Sequence, residues 1–385
     1  MNSSSSNATK RIALLYLKTG GGHEAPARSI ASYLSHKYPD CCEPLLFDCL
    51  ERGPKYVNAV VQDGYRLAQK RAKWAYSVLY ELNKYRPFSL PTSLLVSKPI
   101  KEFVRDVVLP AKPDKIVVLH FFIIKPVMDL VEELGLNIKV EVIVTDPFTA
   151  HPFWFLRKGP SYVLFSDRLK DKVLKERWAT EDQLKVFPFI VNSRFENQLS
   201  DEQKLHMKEN LNMDISKKTI LLLGGGDGMP GAMNILRSMV ELQADVNVVV
   251  VCGRDEGLRN TILAEKFDAS FASLNVFGFI GFVYELINVA DVVVTKCGPN
   301  TIMEILMCGK IPIVNSYIWE QEKGNLEFVV NNGLGIYEPS PKKIGSAALR
   351  FIKNDSVMLQ YKERVQKMQI INGTRSVSEY IFNAS

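Results

Sequence analysis

The chain has little of what marks most specialised proteins. Nowhere do about 18 apolar residues run uninterrupted, so no helix is expected to span a bilayer. Six cysteines occur in 385 residues, with no CxxC pair and no histidine cluster beside them. They read as reduced, mostly buried thiols, and a structural zinc site is not expected. Neither charge sign dominates: 48 Lys and Arg against 42 Asp and Glu leave +6. The Ser/Asn-rich head is too short and too poor in arginine for an organellar transit peptide. The apolar run Ile12 to Leu17 is too short for a secretory signal. The expectation is a protein of the cytosol, dissolved or seated on a membrane face.

What the chain does have is alternation. The apolar run Ile12 to Leu17 enters Gly20-Gly21-Gly22-His23 and then a helical pattern to Lys37. Much later Thr219 to Leu223 enters Gly224-Gly225-Gly226-Asp227-Gly228 and a helical pattern through Val240. Strand, glycine turn and helix open a Rossmann-like half. Lys115 to His120, Lys139 to Thr145, Val246 to Val251, Asn275 to Phe277, Asp291 to Thr295 and Ile311 to Asn315 read as further strands with helical patterns between them. The fold class expected is α/β, with two Rossmann-like domains facing a cleft, residues 1–195 and 196–385. Neither glycine loop fits GxGxxG, so a dinucleotide is not the expected ligand.

The most informative stretch lies in the second half. Asp291 to Thr295 reads as a buried strand, Gly298-Pro299 as a turn and Pro299 to Cys308 as a helix. The unpaired N–H groups of such a helix start, with the macrodipole, suit a diphosphate. Glu304 falls just over one turn further in, within reach of ribose hydroxyls. Taken alone, each piece also fits ordinary strand–turn–helix packing.

Residues 52–105 break the alternation. Eleven Lys and Arg stand there against three acidic residues, a net of +8 that exceeds the whole chain's charge. Arg66, Lys70, Arg71, Lys73 and Trp74 lie among interleaved tyrosines. Basic side chains with interfacial aromatics suit an anionic lipid surface. A solvated helix pair with its aromatics turned to a core is the plainer alternative. Nucleic acid is not expected, because no nucleic-acid module accompanies the patch.

In chain order, Gly20-Gly-Gly-His23, Leu119-His120, Thr145-Asp146, His151-Pro-Phe-Trp-Phe155, Val186-Phe-Pro-Phe189, Gly224-Gly-Gly-Asp-Gly-Met229, Cys252-Gly-Arg254, Gly278-Phe-Ile280, Thr295-Lys-Cys-Gly-Pro299, Glu304 and Gln321-Glu-Lys-Gly-Asn325 resemble one family. It is the monogalactosyldiacylglycerol synthases and bacterial diacylglycerol glucosyltransferases of glycosyltransferase family 28. The resemblance implies the GT-B fold and an inverting transfer of galactose or glucose from a UDP-sugar to diacylglycerol. It implies no cofactor and no obligatory metal.

The roles implied are residue by residue. Glu304 holds the ribose, and the backbone of Ile280 reads the uracil edge. Gly225, Gly226 and Asp227 line the donor's phosphate and sugar side. Gly298, Pro299, Asn300 and Thr301 cradle the diphosphate, with Arg254 and Lys296 as cations. Gln321, Glu322 and Asn325 bond sugar hydroxyls. Three positions depart from the family's habit: Glu24 stands where a basic residue is common, Asn300 where glycine is, and Asp227 where glutamate is.

Five histidines are present, and His36 and His206 fall on polar helical stretches. His23, after Gly22 at the mouth of the first strand, is the first candidate for general base. Asp146, before Pro147, is the second, as base or as the group orienting a histidine. His151 and Trp154 would shape the acceptor mouth, and His120 would cap a strand. The expected partners are a UDP-hexose, diacylglycerol and an anionic membrane surface on its cytosolic face. Oligomeric state is not legible. A UDP-sugar epimerase, an N-acetylglucosaminyltransferase with a lipid-linked acceptor, and a non-catalytic membrane module stay open as alternatives.

Overall fold

The computed structural model describes residues 9–18, 21–51, 96–226, 228–265 and 267–384. Arg66, Lys70, Arg71, Lys73 and Trp74 lie outside the described residues, as does the basic segment as far as residue 95, and so does Asp227. The chain forms two compact units, Met1–Val191 with Asn372–Ser385, and Asn192–Ile371.

The first unit is built on a six-stranded parallel sheet. Its strands are β1 (Lys10–Tyr16), β2 (Cys42–Asp48), β3 (Lys115–Val118), β4 (Lys139–Ile143), β5 (Ser161–Leu164) and β6 (Leu184–Val186), ordered β2-β1-β3-β4-β5-β6. Ile12, Ala13, Leu14 and Leu15 are wholly buried, as an unbroken apolar strand must be when helices cover both faces. Helix α1 (Gly21–Lys37) follows β1 and α2 (Phe121–Glu133) follows β3. The sheet reverses direction between β1 and β3, so the loops leaving their C-terminal ends flank the crevice where open α/β sheets take ligands.

The second unit repeats the plan with β7 (Thr219–Leu223), β8 (Asn247–Val251), β9 (Ser273–Phe277), β10 (Val292–Lys296), β11 (Ile311–Ser316) and β12 (Ile336–Tyr337). The order β12-β11-β10-β7-β8-β9 is that of the doubly wound dinucleotide folds, and it reverses between β7 and β10. Helices α3 (Ala232–Glu241), α4 (Pro299–Met307), α5 (Trp319–Asn331) and α6 (Pro341–Lys353) follow β7, β10, β11 and β12.

One boundary differs from the sequence-based expectation. Residues 372–385 belong to the first unit. Their helix α7 (Thr374–Asn383) is held there by charge at its end. Lys10 Nζ donates to the Phe382 carbonyl at 2.6 Å, and Lys115 Nζ to the Ile381 carbonyl at 2.6 Å and to that of Ala384. Both lysines open strands, so their ammonium groups meet carbonyls that the helix itself leaves unpaired. Tyr33 and Tyr380 add hydroxyl bonds to Glu379 and Glu141.

Candidate active site

In the second unit the loops leaving β7, β8 and β10 carry the expected donor residues. With a side chain at Gly253 (φ +58°), its Cβ would stand 2.6 Å from the Gly226 carbonyl oxygen and 2.7 Å from that of Gly225. The two glycine loops therefore lie backbone on backbone, an approach that only glycine permits. The Arg254 N–H donates to the Gly226 carbonyl at 2.9 Å. Its guanidinium carbon sits 4.8 Å from the centre of the Phe279 ring, and Nη1 is 3.2 Å from where a Gly226 Cβ would stand. Phe279 is 65% exposed and was missed in the sequence, where only its neighbour Ile280 was singled out. Ile280 is partly buried.

On the β10 side, Gly298 is the N-cap of α4, Pro299 opens the helix, and no side chain caps it. Lys296 Nζ lies 3.3 Å from the position of a Gly298 Cβ, and its Cε 3.6 Å from that of a Gly225 Cβ. One ammonium thus spans the gap between the glycine loop and the helix start. A cation, a guanidinium and the positive end of a helix converge at the reversal point of the sheet, an anion-binding geometry. Asn300 and Thr301 are partly exposed in the first turn of α4. Glu304 keeps part of its surface, yet desolvation raises its carboxyl to about 7, against the pull of Arg194.

Two expected sugar ligands are already engaged by protein. Glu322 Oε1 pairs with Lys296 Nζ at 3.2 Å, and its Oε2 accepts the Ile318 N–H at 2.7 Å. Asn325 is 1% exposed, and its Nδ2 donates to the Cys297 carbonyl at 2.9 Å, tying α5 to the turn before α4. Both side chains therefore brace the anion cradle. Gln321 is partly exposed beside them.

In the first unit, His23 and His120 meet at the sheet's reversal point with ring centroids 4.4 Å apart. His23 lies inside the first turn of α1 rather than capping it, and its Nδ1 is 2.8 Å from Thr145 Oγ1. Burial lowers it to about 4, opposed by a hydrogen bond to the Leu119 backbone, so the ring is neutral at ordinary pH. His120 caps α2 rather than a strand: its Nδ1 accepts the Phe122 N–H at 3.2 Å. Burial and the neighbouring His23 hold His120 well below the usual imidazole range.

Asp146 Oδ2 accepts the Trp154 Nε1–H at 2.8 Å, so Asp146 is oriented by the indole. Trp154 is wholly buried and supports Asp146, whereas the sequence reading places it at a mouth. His151 caps the 3-10 turn Pro152–Phe155 through Nδ1, 3.1 Å from the Phe153 N–H. Phe121 stacks on Phe153 at 5.7 Å and meets Trp154 edge-on at 5.7 Å, giving the cluster an aromatic wall. Gly22 has open space around it, and Glu24 is spent on Arg28 one turn on.

Two doubly wound parallel sheets, each carried by its own compact unit, give the chain the GT-B fold. The fold is shared with the Medicago truncatula protein UGT71G1 complexed with UDP-glucose (TM-score 0.62, 13% identity, 99% of this chain and 100% of that one). It is shared too with Acinetobacter baumannii MurG (TM-score 0.59, 14% identity, 97% and 99% covered). Residues 23–189 match the monogalactosyldiacylglycerol (MGDG) synthase family model, and residues 219–362 match the glycosyltransferase family 28 C-terminal domain. Over both matched segments the chain resembles the monogalactosyldiacylglycerol synthases of glycosyltransferase family 28. It is similar to the probable monogalactosyldiacylglycerol synthase, chloroplastic, of Nicotiana tabacum, at 26% identity over 358 residues, 90% of this chain and 65% of that protein. The chloroplastic monogalactosyldiacylglycerol synthase of Spinacia oleracea is 27% identical over 354 residues, 89% of this chain and 66% of that one. This chain thus spans just under two thirds of the length of these relatives. Among the described residues no helix is long and apolar enough to cross a membrane.

Proposed function

We propose that this protein is an inverting glycosyltransferase that moves a hexose from a UDP-sugar to diacylglycerol at a membrane surface. The relatives' names make galactose the first donor sugar to test, with glucose the alternative. The observation that carries the proposal is the cradle of Gly225, Gly226, Arg254, Lys296 and the α4 start, which supplies what a departing diphosphate needs. Charge building on UDP as the anomeric bond breaks is met there by two cations and a helix dipole, without a metal being required. Glu304 then takes the ribose, the Ile280 backbone the uracil edge, and Gln321 the hexose.

The first unit supplies the acceptor. The glycerol hydroxyl gives its proton to His23 while its oxygen attacks the anomeric carbon from the face opposite UDP, which inverts that centre. The neutral state of His23 supports this, since a ring already protonated cannot act as a base. Asp146, held by Trp154, shares the same acceptor end. The basic segment lays the protein on anionic lipid on the cytosolic side, where soluble nucleotide donors are found, through Arg66, Lys70, Arg71, Lys73 and Trp74.

The test is incubation with UDP-galactose or UDP-glucose, each with and without diacylglycerol vesicles, followed by mass and linkage analysis. A β-linked monohexosyl lipid that forms only with diacylglycerol is expected. Donor isomerised without any lipid product would replace the proposal with an epimerase. Reversing Arg66, Lys70, Arg71 and Lys73 to glutamate should weaken vesicle binding in a salt-dependent way while sparing UDP binding.

A further inference from the structure

Three buried histidines crowd the first unit, and each uses Nδ1. His120 and His151 accept backbone N–H groups there, from Phe122 at 3.2 Å and Phe153 at 3.1 Å. A ring nitrogen that accepts carries no proton, so each of these rings in its neutral form holds its proton on Nε2. Such a ring donates from Nε2 and has no lone pair there to take a proton. His23 differs, because its Nδ1 faces a hydroxyl, Thr145 Oγ1, at 2.8 Å. A hydroxyl accepts as well as donates, so among the three only His23 can hold its proton on Nδ1, the tautomer that leaves Nε2 its lone pair.

Resting on the transferase reading above, we propose that Thr145 is the positioning residue that makes His23 the base. Its hydroxyl oxygen accepts from His23 Nδ1–H, fixes the ring's tautomer and direction, and steadies the imidazolium formed in the reaction. The glycerol O–H proton passes to His23 Nε2, and the oxygen pair forms the new bond to the anomeric carbon. The old anomeric C–O bond breaks with its electrons leaving on UDP, and Thr145 keeps its own proton throughout. Thr145 is 1% exposed and lies two residues past the end of β4, just before Asp146, so it is well placed to hold a ring still. The triad logic of acyl transfer assigns the same work to a carboxylate.

The test compares Thr145→Val, isosteric but without the hydroxyl, with Thr145→Ser, which keeps it, in the full-length protein. Turnover is read with UDP-galactose and UDP-glucose on diacylglycerol vesicles, UDP affinity by calorimetry, and folding by thermal melting. Thr145→Val should lose about a hundredfold in kcat. Its acceptor KM and UDP affinity should stay within about threefold of wild type, as should every constant of Thr145→Ser. A Val variant with wild-type kcat overturns the proposal, as does a Ser variant that falls as far as Val. A lost melting transition in Thr145→Val would assign the hydroxyl to the framework and overturn it too. A wild-type protein that transfers no hexose would overturn both this role and the function beneath it. Intact wild-type transfer with unaffected variants overturns this role alone.

Discussion

His23 and Glu304 are two side chains that burial pushes away from charge, each in a different unit. His23→Ala should cut kcat by about 10²–10⁴ and leave UDP affinity alone. Glu304→Ala should weaken UDP binding by about ten- to a hundredfold, the worth of hydrogen bonds to a carboxylate. Steady-state kinetics and calorimetry separate the two. The pKa shifts also set opposite pH responses. His23 binds a proton near 6.5 when unfolded but only near 4 when folded, so the first unit loses stability as pH falls through that window. The loss is on the order of 3 kcal/mol for His23, and His120 adds to it. Glu304 is protonated up to about 7 in the fold, so the second unit loses stability as pH rises from about 4.5 towards 7. Circular-dichroism melts across pH, with His23→Gln and Glu304→Gln each flattening one limb, check both signs. At this scale the sequence revealed identities better than engagements. Glu304 was singled out by its spacing after Pro299 and lies in α4, and His23 was singled out by its glycine loop and lies beside His120. That Glu322 is occupied by Lys296 and Asn325 by the Cys297 carbonyl depends on how α5 packs beside the turn, which no local pattern encodes.

Among elements, strands covered on both faces were the most readable. Thr219–Leu223 was placed to the residue, because an unbroken apolar run between turn signals has few other meanings. The edge strand β2 was missed, since Pro44 argues against a strand and is tolerated only where a sheet ends. Helix α2 begins at Phe121, started by a histidine cap that lies outside the usual Ser, Thr, Asp and Asn set, so its start is hard to read from the sequence. The glycine turns of the second unit give a sharper test. In Gly253→Ala the new methyl would meet two carbonyl oxygens at 2.6 Å and 2.7 Å in a left-handed conformation. The conformation alone costs about 1–2 kcal/mol, and relieving the contacts must part the two loops. A lowered melting temperature with UDP affinity down by tenfold or more is therefore expected. Unchanged UDP binding in Gly253→Ala would show that the loops do not form the donor cradle.

For the whole molecule, the continuity of the second unit has a practical outcome. Asn192–Ile371 is one unbroken segment with a core of its own, drawn from Ile220, Leu222, Val248, Val250, Val292 and Val294 among others. Expressed alone it should melt cooperatively and bind UDP with the intact protein's affinity. Residues 1–191 expressed alone should melt lower or not fold, because Lys10 and Lys115 would lose the helix end that receives them. Adding a peptide of residues 372–385 should restore part of the transition. The sequence reading divided the chain once because no repeat or motif marks the return; the signal lies in two lysines opening strands more than 260 residues before their partners.

That return reaches into how the protein is made. A ribosome completes the entire second unit, residues 192–371, before it delivers the helix that closes the first. At ordinary elongation rates this takes roughly 10–40 s. Throughout that interval Lys10 and Lys115 of the nascent amino-terminal unit lack the carbonyls that α7 later brings, and a chaperone has its longest opportunity there.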